Sequence, residues 1–455
     1  MKQNQSDLSR RAFLKLSTLG AGAAAFGGPL VLRGNPSATS ANSKLNLAVV
    51  GCGGRGRDDM SSMLSNGANL VALCDPDAEQ IQKARVAAAN RGGDSAKGYQ
   101  DYRKLLDDAA TYEAVLVASP DHWHAPLCKA FMRAGKPIYC EKPLTHSIAE
   151  AREIRELSRK LNVVTQMGNQ GSASASLRRC TEIIKAGALG QIREMYHWGI
   201  GVAAREGSAP GEDPVPADFN WDLWVGPSAM RPFRKGVYHP AVWRGWFDFG
   251  NGGLADFCCH VINLPMRALD LGYPERLVPN LDENDQALPG KAAVEFHFGA
   301  RGDLPPVVLY WMGDAKPPAD IIQPVLDADP KSNGLFIIGE KGCIFTSHWN
   351  TEGMIRLNGE PNLVSVLHHP ATANIPRSLP RVSGHDREWI DACRGQGRTF
   401  SDFDIGGKLT EIGLAGVLAV RAHKTIEWDG EKMESTNAPE VARFVHTQWR
   451  RKWLL

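Results

Sequence analysis

Leu45-Asn46-Leu47-Ala48-Val49-Val50-Gly51-Cys52-Gly53-Gly54-Arg55-Gly56 is the stretch that decides the fold. Six mostly apolar residues, two of them β-branched, read as a short buried parallel strand. Gly51, Gly53 and Gly56 follow at once in a G-x-G-x-x-G pattern, with Gly54 and Arg55 inside it. In such a fingerprint the first glycine permits a tight turn. The second lets the backbone approach a pyrophosphate, and the third lets helix and strand pack closely. The free N–H groups of the following helix then face the phosphates. This predicts a helix over 57–66 and makes Gly51, Gly53, Gly54, Arg55 and Gly56 candidate cofactor-binding residues.

Moving outward, Asn69 to Cys74 reads as a second strand and ends at Asp75, 19 residues beyond Gly56. That spacing suits a carboxylate on the adenosine ribose, and its charge opposes a 2′-phosphate, so NAD is favoured over NADP. Helical patterns over 77–90, 101–109 and 125–134 alternate with strands over 114–118 and 137–140. Strands alternating with helices predict a Rossmann-like, doubly wound parallel sheet, whose ligands bind at the carboxyl ends of its strands. Ser119, His122 and Trp123 follow the 114–118 strand and are expected to border the cofactor.

From residue 190 the pattern changes. Strands are expected over 191–199, 291–298, 306–312 and 334–346, several alternating apolar and polar residues as in a sheet with one covered face. Helices are expected over 177–186, 386–394 and 408–423. The fold class is therefore α/β, a parallel Rossmann-like sheet followed by an α/β domain with an open, largely antiparallel sheet. The expected division is 1–45 leader and linker, 46–165 dinucleotide domain, and 166–455 substrate and oligomerisation domain.

The chain carries 52 basic and 50 acidic residues, which gives no electrostatic footprint for nucleic acid. No apolar run beyond residue 45 reaches membrane-spanning length. The nine cysteines contain no C-x-x-C pair and read as small core residues. His122-x-His124 and the Asp256/His260 pair are too few ligands for zinc, so no metal is expected. At the start, Ser9-Arg10-Arg11-Ala12-Phe13-Leu14-Lys15 precedes the modest apolar stretch Leu16–Leu32 and resembles a twin-arginine export signal. It implies the twin-arginine machinery as partner and a periplasmic or otherwise exported location. Dinucleotide is scarce there, so a tightly bound cofactor is expected.

Two further motifs carry a family resemblance. Glu141-Lys142-Pro143 ends the fourth strand, and Gly252-Gly253-Leu254-Ala255-Asp256-Phe257-Cys258-Cys259-His260 follows in the second half. Together with the fingerprint they resemble the E-K-P and G-G-x-x-D-x-x-x-H motifs of the Gfo/Idh/MocA oxidoreductases. Met167-Gly168-Asn169-Gln170, Ile426–Asp429 and Thr436–Pro439 are similar to other stretches of that family. The resemblance implies Glu141 and Lys142 beside the nicotinamide, Lys142, Asp256 and His260 as catalytic residues, Asn169 and Gln170 near the substrate, and a homo-oligomer.

On a helix, Asp256 and His260 share a face, and a carboxylate beside the imidazole makes it a better proton acceptor. The aromatic-rich 220–249 segment could offer a carbohydrate platform or pack as core. Trp243 and Arg244 are its candidate substrate residues because they directly precede the expected catalytic helix.

The expected function is an NAD(P)-dependent dehydrogenase of a sugar, glycoside or cyclitol hydroxyl. One alternative is an NAD-dependent glycosidase acting by transient oxidation and elimination. That chemistry needs a further acid/base pair, for which His197, Tyr238 and His239 are candidates. The other alternative is a non-catalytic dinucleotide-binding protein.

Overall fold

The computed structural model describes residues 44–201, 204–280, 292–329, 332–450 and 453. The expected export signal, within residues 1–45, lies outside them but for its last two positions. The described residues belong to one compact unit.

The first half alternates strand and helix. Its elements are β1 (Leu45–Val50), α1 (Gly54–Ser65), β2 (Ala68–Cys74), α2 (Ala78–Ala88), β3 (Lys97–Tyr99), α3 (Tyr102–Asp107), β4 (Ala114–Val117), α4 (Asp121–Arg133), β5 (Ile138–Glu141), α5 (Ile148–Leu161) and β6 (Thr165–Gly168). The six strands pair in the order β3-β2-β1-β4-β5-β6, all parallel. The order reverses between β1 and β4, which opens a crevice at their carboxyl ends. β1, β4, β5 and β6 are almost wholly buried, as strands covered on both faces must be.

Sequence reading missed β3 and β6, which are three and four residues long. Runs that short carry too little periodicity to stand out. β6 also takes the parallel sheet three residues past the expected boundary at 165. α5 starts at a capping box, with Ser147 accepting from the Glu150 N–H and Glu150 accepting from the Ser147 N–H.

The second half adds α6 (Ala175–Lys185) and a ten-stranded sheet. Its strands are β7 (Ile192–Trp198), β8 (Arg276–Asn280), β9 (Ala293–Phe298), β10 (Val307–Trp311), β11 (Gly334–Gly339), β12 (Gly342–Thr346), β13 (Gly353–Leu357), β14 (Val364–Ser365), β15 (Ile426–Asp429) and β16 (Glu434–Ser435). Their order is β14-β13-β12-β11-β7-β10-β9-β8-β15-β16, antiparallel except for β7 beside β10. The single strand expected over 334–346 is a hairpin turning at Glu340-Lys341.

Three helices join the two halves: α7 (Gly252–Val261), α8 (His385–Cys393) and α9 (Phe403–Ala422). α9 packs against α5 and α7. Its Glu411, 2% exposed, receives Arg152 and Arg155 of α5 at 2.6 and 3.0 Å. Removing one side of such a buried pair costs about 3–5 kcal/mol. Eight of the nine cysteines are buried, all with free thiols.

The aromatic-rich segment is mainly a small core of its own. Phe219, Trp221, Trp224, Phe233, Tyr238 and Phe249 are buried together, with Trp243 and Trp246 at its edge.

Candidate active site

The turn after β1 is shaped by backbone contact. Gly51 has φ +88°, and a Cβ on it would lie 2.5 Å from the Ala118 carbonyl at the end of β4. A Cβ on Gly56 would collide with the Gly51 carbonyl oxygen. Only glycine keeps β1, β4 and α1 this close. Gly53 caps α1 and brings no side-chain oxygen to its first N–H groups, which leaves the helix N-terminus open to an anion.

This turn borders a groove of about 540 Å³. Its first wall comes from the carboxyl ends of β1, β2, β4 and β5, and includes Gly51, Gly53, Gly54, Arg55, Asp75, Ser119, Trp123, Glu141 and Lys142. These are nine of the eleven residues expected at the cofactor. Asp75 is buried and accepts from the Cys52 and Asp77 N–H groups at 2.8 and 3.0 Å. Burial pushes its carboxyl up to about 6 against those two bonds, so it is mostly ionised at neutral pH. The open helix end and a carboxylate at the end of β2 fit a dinucleotide's pyrophosphate and ribose.

Gly56 acts behind the groove, as its collision with Gly51 shows. His122 also leaves the groove. The stretch Ser119–His124 is not all loop: α4 begins at Asp121, and His122 is fully buried against the Phe249 and Trp224 carbonyls at 3.3 and 3.1 Å. It ties α4 to the aromatic segment. Burial pushes it down to about 4, so it stays neutral. His124, weighed in the sequence only as a metal ligand, does line the groove and contacts the Ser119 and Pro143 carbonyls at 2.8 Å each. It thereby pins the Glu141-Lys142-Pro143 turn to the end of β4.

The aromatic segment supplies the opposite wall. Leu223, Trp224, His239, Trp243 and Arg244 all reach the groove. His239 bonds Asp77 at 3.0 Å. Arg244 lies over the Trp243 ring at 4.3 Å and reaches Asp256 at 2.8 Å.

One end of the groove collects charge. Lys142 Nζ donates to Asp256 Oδ1 at 2.5 Å, and Arg244 shares the same oxygen. Asp121, which sequence reading did not select, does not line the groove but is buried within the field of Arg244, Asp256 and Lys142. It is 1% exposed, and Oδ1 has no hydrogen-bond partner. Burial pushes its carboxyl up to about 7 against the pull of Arg244. The signal for it was an acid three residues after a buried strand, at the first position of a helix.

Asp256 and His260 share α7, as expected, but no hydrogen bond joins them. Asp256 is taken by Lys142 and Arg244, while His260 Nδ1 is buried without a partner. Burial, helped by the Lys142 charge, pushes the His260 imidazole well down and keeps it neutral. Phe257 lies between Lys142 and His260 in the chain of contacts. Its ring lies 5.5 Å from Lys142 Nζ and 6.1 Å from the His260 ring.

Asn169 and Gln170 are support, not free ligands. Asn169 is fully buried between Ser401 and the Cys259 carbonyl. Gln170 donates to Glu141 at 2.7 Å and to the Tyr139 hydroxyl at 3.0 Å. Of the extra acid/base candidates, Tyr238 is buried in the aromatic core and His239 is engaged at Asp77. His197 is buried and bonded to His348 at 2.9 Å. Among the described residues no three His, Cys, Asp or Glu side chains gather as a metal site, and no helix is long and apolar enough to cross a membrane.

Residues 45–169 match the Gfo/Idh/MocA profile described as oxidoreductase family, NAD-binding Rossmann fold. Residues 193–272 match the profile of its C-terminal alpha/beta domain. An inositol 2-dehydrogenase of Corynebacterium glutamicum is 32% identical over 156 residues, which cover 33% of this chain and 44% of that protein. One from Azotobacter vinelandii is 31% identical over 150 residues, covering 32% and 43%. The matched stretch thus spans less than half of these relatives.

Among solved structures, an inositol dehydrogenase homologue from Azotobacter vinelandii, complexed with NADH and myo-inositol, aligns with TM-score 0.59 at 18% identity. The alignment covers 85% of this chain and 98% of that one. A levoglucosan dehydrogenase complexed with NADH and levoglucosan aligns at 0.56 and 17% identity, covering 85% and 99%. At such identities the likeness is one of fold.

Proposed function

We propose that the protein is an NAD-dependent dehydrogenase of a sugar, glycoside or cyclitol hydroxyl, a reading supported by the two segments that match the Gfo/Idh/MocA oxidoreductase profiles. The observation that carries this reading is the Lys142–Asp256 pair on the wall of the dinucleotide groove, with His260 one helical turn further along the helix that carries Asp256. The solved relatives bound to inositol and levoglucosan suggest the substrate class.

Gly51, Gly53 and the open end of α1 would hold the pyrophosphate, and Asp75 the ribose. When bound, nicotinamide supplies the hydride acceptor. The protein's own residues handle the proton. Neutral His260 would accept it from the substrate hydroxyl as general base. Lys142 steers the substrate oxygen, and Asp256 holds the ammonium in place while sharing its charge with Arg244. In this reading Asp256 orients Lys142 instead of His260.

The test is to incubate the protein with sugars, polyols and glycosides and weigh the products. Loss of two hydrogens from an intact substrate supports the dehydrogenase. Release of a shorter saccharide or aglycone without net oxidation would transfer the assignment to the redox-assisted glycosidase.

We also propose export by the twin-arginine route, on the strength of Ser9–Lys15, and assembly as a homo-oligomer through the second sheet. Cell fractionation and light scattering test these two.

A further inference from the structure

Trp349 is 46% exposed, yet its backbone is fixed on both sides. The next residue, Asn350, is buried in a left-handed conformation with φ +58°. It donates to the His260 carbonyl at 2.5 Å and accepts from Thr346 at 2.8 Å. The Trp349 carbonyl sits so close to Gly171 that a Cβ there would collide with it. A large aromatic side chain held rigid and left in water forfeits the burial that stabilises most tryptophans. Such a fixed, exposed ring offers one free aromatic face for stacking.

The surroundings say which ligand. The Trp349 ring lies 5.7 Å from Phe257, 6.0 Å from His348 and 6.3 Å from His260. Phe257 in turn lies under Lys142. Trp349 therefore touches the His260 ring directly and is linked to Lys142 through Phe257. His348 is oriented by His197, which packs on Trp311 at 3.9 Å. Burial pushes both His348 and His260 down, so this wall offers neutral imidazoles and an aromatic face. Sugar rings present apolar C–H faces for stacking and hydroxyls for the imidazoles.

We propose that Trp349, with His348 beside it, forms a second carbohydrate subsite, which binds a neutral pyranose ring linked to the one that reacts. This rests on the sugar-dehydrogenase reading and narrows it to glycosides with at least two rings.

The experiment uses NAD-loaded protein and calorimetric titration. The probes are gluco-, galacto- and manno-configured disaccharides in both linkages, each with its matching methyl glycoside. In the wild type at least one disaccharide should bind roughly three- to tenfold tighter than its methyl glycoside. Trp349→Ala should bring that ratio close to one, and Trp349→Phe should restore most of it. A wild type with no such preference, or a preference that survives Trp349→Ala, overturns the subsite. Both outcomes are separate from turnover. If the ratio behaves as expected while no sugar is oxidised and no NAD reduced, the dehydrogenase reading falls and the subsite stands. If sugars are oxidised without the ratio effect, the subsite falls alone.

Discussion

The two walls of the groove are made by different means. On the first, backbone meets backbone: Gly51 against Ala118 and Gly56 against Gly51, with α1 opening directly above. On the second, side chains reach in from distant segments. Arg244 crosses to Asp256, His239 to Asp77, and His122 leaves the first half to hold Trp224 and Phe249. A backbone-built wall tolerates almost no substitution at its glycines. A side-chain wall can lose one member and keep its shape. The contrast predicts that cofactor binding will fail abruptly and chemistry will fail by degrees.

The most abrupt effect on cofactor binding is expected at Gly51. Gly51→Ala adds a Cβ against the Ala118 carbonyl and forces a strained φ. NAD affinity should fall by roughly a hundredfold or more by calorimetry. A loss under threefold would show that the first wall is as forgiving as the second.

His260→Ala should lower kcat by about 10²–10⁴-fold, the usual range for a lost general base, while NAD affinity changes little. Loss of both together would mean that His260 shapes the groove.

Asp121→Asn probes the charged end through pH. Asp121 has a folded pKa raised to about 7. Its protonated form therefore favours the native state below the ordinary carboxylate range. That contribution is lost as pH rises through about 7, at about 1.4 kcal/mol per unit of displacement. Asp121→Asn should thus gain stability relative to wild type on going from pH 5 to pH 8 in denaturant titrations. A constant difference across that range would mean that Lys142 and Arg244 already compensate the ionised form.

The smallest effect is expected at Asp75. Arg57 and Lys83 also line the groove, Lys83 paired with Glu79, so Asp75→Ala removes a carboxylate and leaves cations able to attract a 2′-phosphate. The NAD-over-NADP preference should fall by roughly tenfold. An unchanged preference would remove Asp75 from the ribose contact.

The comparison also explains which residues could be read in advance. The fingerprint glycines, Asp75 and the Glu141-Lys142 pair are local signals, because each is set by where one strand ends. Trp243 and Arg244 were found through the helix they precede. His122 was misplaced because the same stretch reads equally as a strand-end loop or a helix start, and burial chose the helix. Asn169 and Gln170 reach their supporting roles only through Ser401, Cys259 and Glu141. No spacing rule reports such partners. The partner of Asp256 shows the same limit. A four-residue spacing offered His260, but Lys142, 114 positions away, is the one the fold brings to it.

The sequence by itself determined the parallel dinucleotide half, the place of its glycine turn, the change of architecture near residue 190 and the helix that carries Asp256 and His260. These follow from periodicity and from backbone conformations open only to glycine, which are properties of a few consecutive residues. Only the tertiary structure decided that the aromatic segment is a core with one edge on the groove. Only it buried Asp121 within the field of Arg244 and Lys142 and fixed Trp349 in the open beside His260. Those outcomes depend on which distant surfaces bury one another, and that competition is resolved only when the whole chain packs.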